Sequence, residues 1–435
     1  MSRQERHVLS PESRKVLLGV NSGIALAHIG NYIWFPHLIS TLGVEYSGFW
    51  AGFVMFLTYV GRLSATFFYE GVAARFGTRA SIIVGIAVEA VALGGMGFAD
   101  GVPFYSLLAF FVGFGSGISF PGLKNILGTL PEKDRPKAFS SFQMSCQLGV
   151  IAGSVIGGLF LGSSMAILFL VVFILFAGYC AAAASFIPTD AGGQADRVAV
   201  KTPLVNVAVL KGLQLGGGGS YFLLSSVFWV LSISFLVGMP LHMDEFASDL
   251  PVSTPFWITG LALLVLQYPA FRYMSKRLRP GQVMGVAFLA MAVAYGLFGA
   301  GQTATWVVVG CLVVVFGDIL FTPSFDLWVA NRMPADRLAR AMGAMHFFRS
   351  FGNMVGTLTA GALYDLSHST DIPGLNWYVV GGIALVCAAV SFLSARREEA
   401  SSTSTPAAEV VEADPVGSVE LPPAAEPRES ARTTA

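Results

Sequence analysis

The stretch Gly149-Val150-Ile151-Ala152-Gly153-Ser154-Val155-Ile156-Gly157-Gly158 is apolar but for one hydroxyl, and glycine recurs in it at 149, 153 and 157. On a helix a four-residue spacing sets these glycines on one face. A row of missing side chains lets a second helix backbone approach closely, and in lipid this packing replaces the hydrophobic drive that water supplies. The rest of the chain has the same character. Its 435 residues are 54% hydrophobic and only 12% charged, with a mean hydropathy of +0.67. Soluble domains carry about 25% charged residues, so the composition describes a multi-span membrane protein. A formal net charge of zero gives no reason to expect a nucleic acid partner.

Hydropathy predicts twelve spans, near 16–39, 47–70, 80–99, 103–129, 138–162, 165–187, 219–240, 254–271, 282–300, 304–330, 338–364 and 375–395. The first is read as a retained span, since it carries Asn21, His28 and Asn31 and no clear cleavage site. With the N-terminus inside, Arg75, Arg79, Lys133, Arg135, Lys137, Arg272, Lys276, Arg277, Arg279, Arg332, Arg337 and Arg340 fall in inner loops. The outer loops have no lysine or arginine, which places both termini in the cytoplasm and the chain in the cell membrane. The predicted fold is all-α, with twelve transmembrane helices in two pseudo-symmetric six-helix bundles, 1–187 and 219–396. A cytoplasmic linker, 188–218, joins them. A Ser-, Thr-, Pro-, Ala- and Glu-rich tail, 397–435, is expected to be disordered.

The halves echo each other. Pro121, Lys124 and Arg135 superpose on Pro323, Asp326 and Arg337 at a shift of 202 residues. Parallel repeats of this kind suggest two bundles rocking about a central site.

The glycine helix resembles the helix-5 antiporter signature of the major facilitator superfamily, G-x-x-x-G-P-x-x-G-G, with every glycine in place and Ser154 where the proline stands. The loop from Glu70 to Arg79 is similar to the superfamily's G-x-L-x-D-R-x-G-R-R loop. Arg75, Gly77 and Arg79 match it, while Ala74 replaces the acid and Glu70 the first glycine. Gly113-Phe114-Gly115-Ser116-Gly117 matches the glycine run of the proton-antiporting drug pumps, but Ala109 stands where those carry arginine. The resemblance implies alternating access, with helices 1, 4, 7 and 10 around the cavity. It assigns Arg75, Gly77, Arg79, Gly149, Gly153, Gly157 and Gly158 to gating and helix packing. A plain packing seam remains the alternative reading of the glycine helix.

Six ionisable residues lie inside spans, where charge is costly and faces a cavity or a partner: Arg62, Glu89, Lys124, Asp318, Asp326 and Arg349. Arg62 and Glu89 are nearly equidistant from the turn near 75, and Asp318 and Arg349 from the turn near 333. Equal depth predicts two ion pairs, which either neutralise each other and stiffen a hairpin or exchange the arginine for a proton or substrate. Lys124 and Asp326, at equivalent repeat positions, are expected to meet when the inner mouth closes, unless Lys124 snorkels to the headgroups. Asn21, His28 and Tyr32 share a face of the first helix, with Asn31 beside it and Gln143 and Gln147 on the fifth. These bind substrate or protons, or hydrogen-bond between helices. The expected cavity set is Asn21, His28, Asn31, Tyr32, Arg62, Lys124, Gln147 and Arg349. The expected proton carriers are Glu89, Asp318 and Asp326.

The sequence has no phosphate-binding loop, no metalloprotease or hydrolase motif, and cysteines only at 146, 180, 311 and 387, none in a CxxC. No enzyme, cofactor or metal is expected. The leading expectation is a monomeric secondary transporter whose partners are a small-molecule substrate, protons and the lipid bilayer. It exports a polar or anionic, drug- or siderophore-like molecule by proton antiport. A proton symporter importing an organic acid and a non-transporting sensor or scaffold are the alternatives.

Overall fold

The computed structural model describes residues 11–131, 134–160, 162–187, 219–246, 250–301, 303–332 and 335–404. Among them are twelve helices and no strand. They are α1 (Pro11–Glu45), α2 (Gly48–Phe76), α3 (Thr78–Met96), α4 (Val102–Thr129), α5 (Arg135–Gly158), α6 (Met165–Phe186), α7 (Gly219–Phe246), α8 (Thr254–Ser275), α9 (Pro280–Ala300), α10 (Ala304–Arg332), α11 (Ala335–Ser369) and α12 (Leu375–Ser404). Each corresponds to one predicted span, although 47–70, 80–99, 138–162 and 165–187 overrun the ends of α2, α3, α5 and α6 by one to four residues. Backbone polar groups in hydrocarbon must be satisfied within the segment, so apolar runs of this length become helices.

Eleven helices are long and apolar enough to cross a membrane by composition alone. The exception is α11, whose 35 residues include Arg349, Asn353, Thr357 and Asp365. Polar side chains are costly against hydrocarbon, and α11 packs on both α7 and α2. At the other end of the chain, α12 continues to Ser404, so the tail expected to be disordered from 397 begins as helix. The linker 188–218 and residues 405–435 lie outside the described residues.

Two hydrophobic cores divide the chain. One gathers Val20, Ile33, Met55, Ile86, Phe169 and Phe176. The other gathers Phe222, Phe228, Phe288, Phe298, Phe321 and Trp377. The repeat is visible in the packing order: α1 lies on α5 as α7 lies on α11, α3 on α4 as α9 on α10, and the bundles meet through α2 with α11 and α5 with α8.

The glycines fix these seams. A Cβ at Gly149 would lie 2.7 Å from the Ala25 carbonyl oxygen, and one at Gly153 would overlap that of Ile29, both on α1. In the second half Gly352 and Gly356 meet the Ser226 and Val230 carbonyls of α7 in the same manner. Gly113 and Gly117 face Thr58, Arg62 and Ala65 on α2, whereas Gly115 faces Gly85 and Glu89 on α3. A two-residue step turns about 200° around a helix, so alternate glycines seat α4 between two neighbours.

Candidate functional site

The charged residues do not meet in the predicted pairs. Arg62 on α2 donates through Nε to Ser116 Oγ on α4 at 3.2 Å, and its guanidinium lies 5.4 Å from the Tyr59 ring centroid. Glu89 on α3 is 3% exposed and has no hydrogen-bond partner among the described residues, although it lies within range of the Arg62 charge. Asp318 on α10 accepts a hydrogen bond from Ser232 Oγ at 3.2 Å. Arg349 on α11 stacks on Trp229, 3.8 Å from the ring centroid.

Neither predicted ion pair is therefore a direct contact. Equal depth in a hairpin places two residues in one layer and says nothing of direction around the helix axis. Here α4 lies between α2 and α3, and its Ser116 takes Arg62. Ser232 and Trp229, three residues apart on α7, take Asp318 and Arg349 separately.

Lys124 lies 4.8 Å from the Phe120 ring centroid, one turn back on α4. Asp326 is exposed and makes no ion pair with it in this conformation, so the predicted inner gate is not closed by that contact. Arg62, Lys124 and Arg349 are each backed by an aromatic ring, and among the described residues none is in contact with a carboxylate. A ring face attracts a cation without neutralising it.

The predicted face of α1 separates into different roles. Asn21 donates to Ser141 Oγ at 3.0 Å and ties α1 to α5. Asn31 accepts the Trp34 indole N–H at 3.0 Å. The first bond fits the reading of contacts between helices, whereas the second lies within α1 itself. His28 hydrogen-bonds through Nδ1 to the Ile24 carbonyl at 3.0 Å and packs against Gly149. Tyr32 reaches across to the second bundle, its ring 6.0 Å from that of Phe256 on α8. Gln147 is half-buried on α5. In the loop after α2, Gly77 adopts φ +82°, a conformation that glycine alone enters freely. Arg79 donates to the Ala184 carbonyl on α6, and Arg75 is exposed.

The end carrying the α1–α2, α7–α8 and α11–α12 connections holds contacts that hydropathy did not indicate. Asp365 on α11 accepts the backbone N–H groups of Gly48 and Phe49, at 2.8 and 2.9 Å. Ser47, the residue in the cap position of α2, makes no such bond with its own side chain. Gly52 packs on the Thr357 carbonyl, Gly43 on Leu241, and Gly158 on Pro251 and Ser253. A cavity of about 560 Å³ opens there, lined by Gly43, Leu241, Asp244, Tyr364, Asp365 and His368 among others. Gly361, four residues before Asp365, packs on the Gly48 carbonyl, so the glycine and the carboxylate of α11 engage the same end of α2.

Residues 20–357 match the Major Facilitator Superfamily. The chain belongs to that superfamily, and is a transporter rather than an enzyme. Among its relatives is multidrug resistance protein MdtH of Proteus mirabilis (strain HI4320), 26% identical over 377 residues, covering 83% of this chain and 90% of that protein. Another is an uncharacterised MFS-type transporter, YttB, of Bacillus subtilis (strain 168), 24% identical over 332 residues, covering 72% and 79%. Among solved structures, a mutant of the nucleoside transporter NupG superposes with a TM-score of 0.74 at 16% identity, covering 87% of this chain and 99% of that one. A sulfate complex of a peptide transporter, POT, gives 0.72 at 15% identity, covering 88% and 94%. At these identities the structural likeness speaks for the fold, that of two six-helix bundles in a multi-pass membrane protein.

Proposed function

We propose that this transporter exports a small polar or anionic molecule by proton antiport. The observation that carries the proposal is the treatment of Arg62, Lys124 and Arg349. Each rests on an aromatic ring and leaves its donors free of carboxylate contact. A guanidinium so placed presents a planar fork to an incoming carboxylate or phosphate, and Tyr59 and Trp229 add faces on which a ring of the substrate stacks. Glu89, buried without a hydrogen-bond partner among the described residues, and Asp318, held by one serine, are the carboxylates that take up and release the proton.

Export is supported by the multidrug resistance relatives and by the glycine face of α5, which sits directly on α1 beside His28. The positive-inside pattern orients the chain with both termini in the cytoplasm of a cell-membrane protein. In that orientation the Asp365 junction closes the outer side.

The test is reconstitution in vesicles with an imposed pH gradient, a pH-sensitive dye inside and candidate anions added to each side in turn. Antiport is upheld if a solute discharges the gradient only when it and protons move in opposite directions. Movement of both in the same direction would replace it with symport. Anion flux that ignores the gradient would remove proton coupling.

A further inference from the structure

We propose that the Lys276-proximal end of α8 is a headgroup site for an anionic phospholipid. Along one exposed face of α8 the residues are Leu261, Val265, Tyr268, Arg272 and Lys276, spaced three or four apart. Val265 is 61% exposed and Tyr268 is 71% exposed, so this face is not packed on another helix. Read along the axis, it passes from aliphatic to aromatic to cationic, which is the order of hydrocarbon, interface and phosphate in a bilayer leaflet.

The basic end is organised. Arg272 donates to Tyr268 Oη at 3.1 Å and lies 5.8 Å from that ring's centroid. Arg277 lies 4.2 Å from the Tyr273 centroid. Two Tyr-x-x-x-Arg pairs thus hold two guanidinium groups beside Lys276, around an open groove of about 420 Å³. No aspartate or glutamate occurs between Leu250 and Gly317, and among the described residues neither Arg272 nor Arg277 touches a carboxylate. Cations backed by rings, unopposed by acid and set at the end of an apolar face fit one occupant, a phosphodiester whose acyl chains lie along Leu261 and Val265. The net negative charge of such a lipid separates it from zwitterionic neighbours. The inference needs only that the chain spans a membrane, and it stands or falls apart from the direction or coupling of transport.

The test uses the full chain in mild detergent, with binding of phosphatidylglycerol and of phosphatidylcholine of the same acyl chains read by native mass spectrometry. Phosphatidylglycerol is expected to bind more tightly. Near a membrane surface each basic residue contributes about fivefold, so Arg272→Gln with Arg277→Gln is expected to weaken it by about thirtyfold. Arg272→Lys with Arg277→Lys should retain most of the binding. Arg14→Gln with Lys15→Gln, two exposed cations on α1, should leave it unchanged. Should the glutamine variant fail to fold, wild-type protein serves alone: raised salt must weaken phosphatidylglycerol binding and spare phosphatidylcholine. Equal binding of the two lipids overturns the proposal, as does an equal loss in the α1 variant. Displacement of the lipid by millimolar glycerol phosphate would make the ligand a soluble phosphate ester and overturn it as well.

Discussion

Asp365 on α11 accepts the backbone N–H of Gly48 at 2.8 Å and thereby caps a helix of the opposite bundle. The first turn of a helix carries unsatisfied donors and the positive end of its dipole, and a carboxylate there is worth about 1 kcal/mol. Any movement that parts α2 from α11 at this end has to break the bond. Asp365→Ala should therefore shift the resting population toward the conformation open at this end by roughly fivefold. A single cysteine at Leu241, buried at this end, and labelled from the side this end faces would show it. Asp365→Asn, which keeps an acceptor oxygen without the charge, should fall between the two. Unchanged labelling in Asp365→Ala would mean that the cap does not govern opening.

Gly153 and Gly157, two of the four glycines of α5, should not be equally sensitive. A Cβ at Gly153 would overlap the Ile29 carbonyl, whereas one at Gly157 would sit 3.2 Å from that of Tyr32. Gly153→Ala is expected to cost about 1–3 kcal/mol, as overpacking does, and Gly157→Ala less. Gly128→Ala on α4, where the new atom meets nothing within 4 Å, is the matched control. Thermal unfolding of purified variants should rank them Gly153, Gly157, Gly128 in order of loss.

Trp229 and Arg349 should separate binding from charge. Removing the ring in Trp229→Leu forfeits a cation–π contact of about 1–2 kcal/mol and leaves the guanidinium unplaced. It should raise KM for an anionic substrate by roughly tenfold with a smaller change in kcat. Arg349→Lys keeps the charge but loses the planar fork, and should discriminate against carboxylates relative to Trp229→Leu. Initial rates in vesicles across a range of substrate concentrations decide this.

Glu89→Gln tests the proton pathway. The carboxylate is buried and has no hydrogen-bond partner among the described residues, so an uncharged isostere should fold at least as well as the wild type. If Glu89 carries the coupled proton, the variant will still exchange labelled for unlabelled substrate but will no longer concentrate it against a pH gradient. Full gradient-driven accumulation in Glu89→Gln would move the role to Asp318, for which Asp318→Asn is the corresponding variant.

Much of this architecture could be read from the chain before any coordinates, because hydropathy reports directly on what lipid demands of a backbone. Each of the twelve spans coincides with one helix to within a few residues, and the repeat linking Pro121 to Pro323 reappears as matched seams of α5 on α1 and α11 on α7. The site was legible by layer and not by direction. Arg62, Lys124, Asp318 and Arg349 were recognisable as costly charges, yet their contacts depend on which helix stands between two neighbours in sequence. Tyr59, Ser116 and Ser232 are too ordinary for a membrane helix to be noticed alone. Asp365 escaped because a loop-side acid looks the same in sequence whether it meets water or the start of another helix.

The alternating glycines of α4 have a mechanical consequence. Where main chain rests on main chain, no side chain is left to yield, and a joint of that kind neither slides nor flexes by small amounts. α2, α4 and α3 are pinned as a single plank, with Gly113 and Gly117 nailed to one board and Gly115 to the other. A stroke of the transporter then cannot be absorbed within this block. It is delivered whole to the edge of the plank, where Gly48 and Gly52 bear on α11, and that edge is where wear from mutation should be felt first.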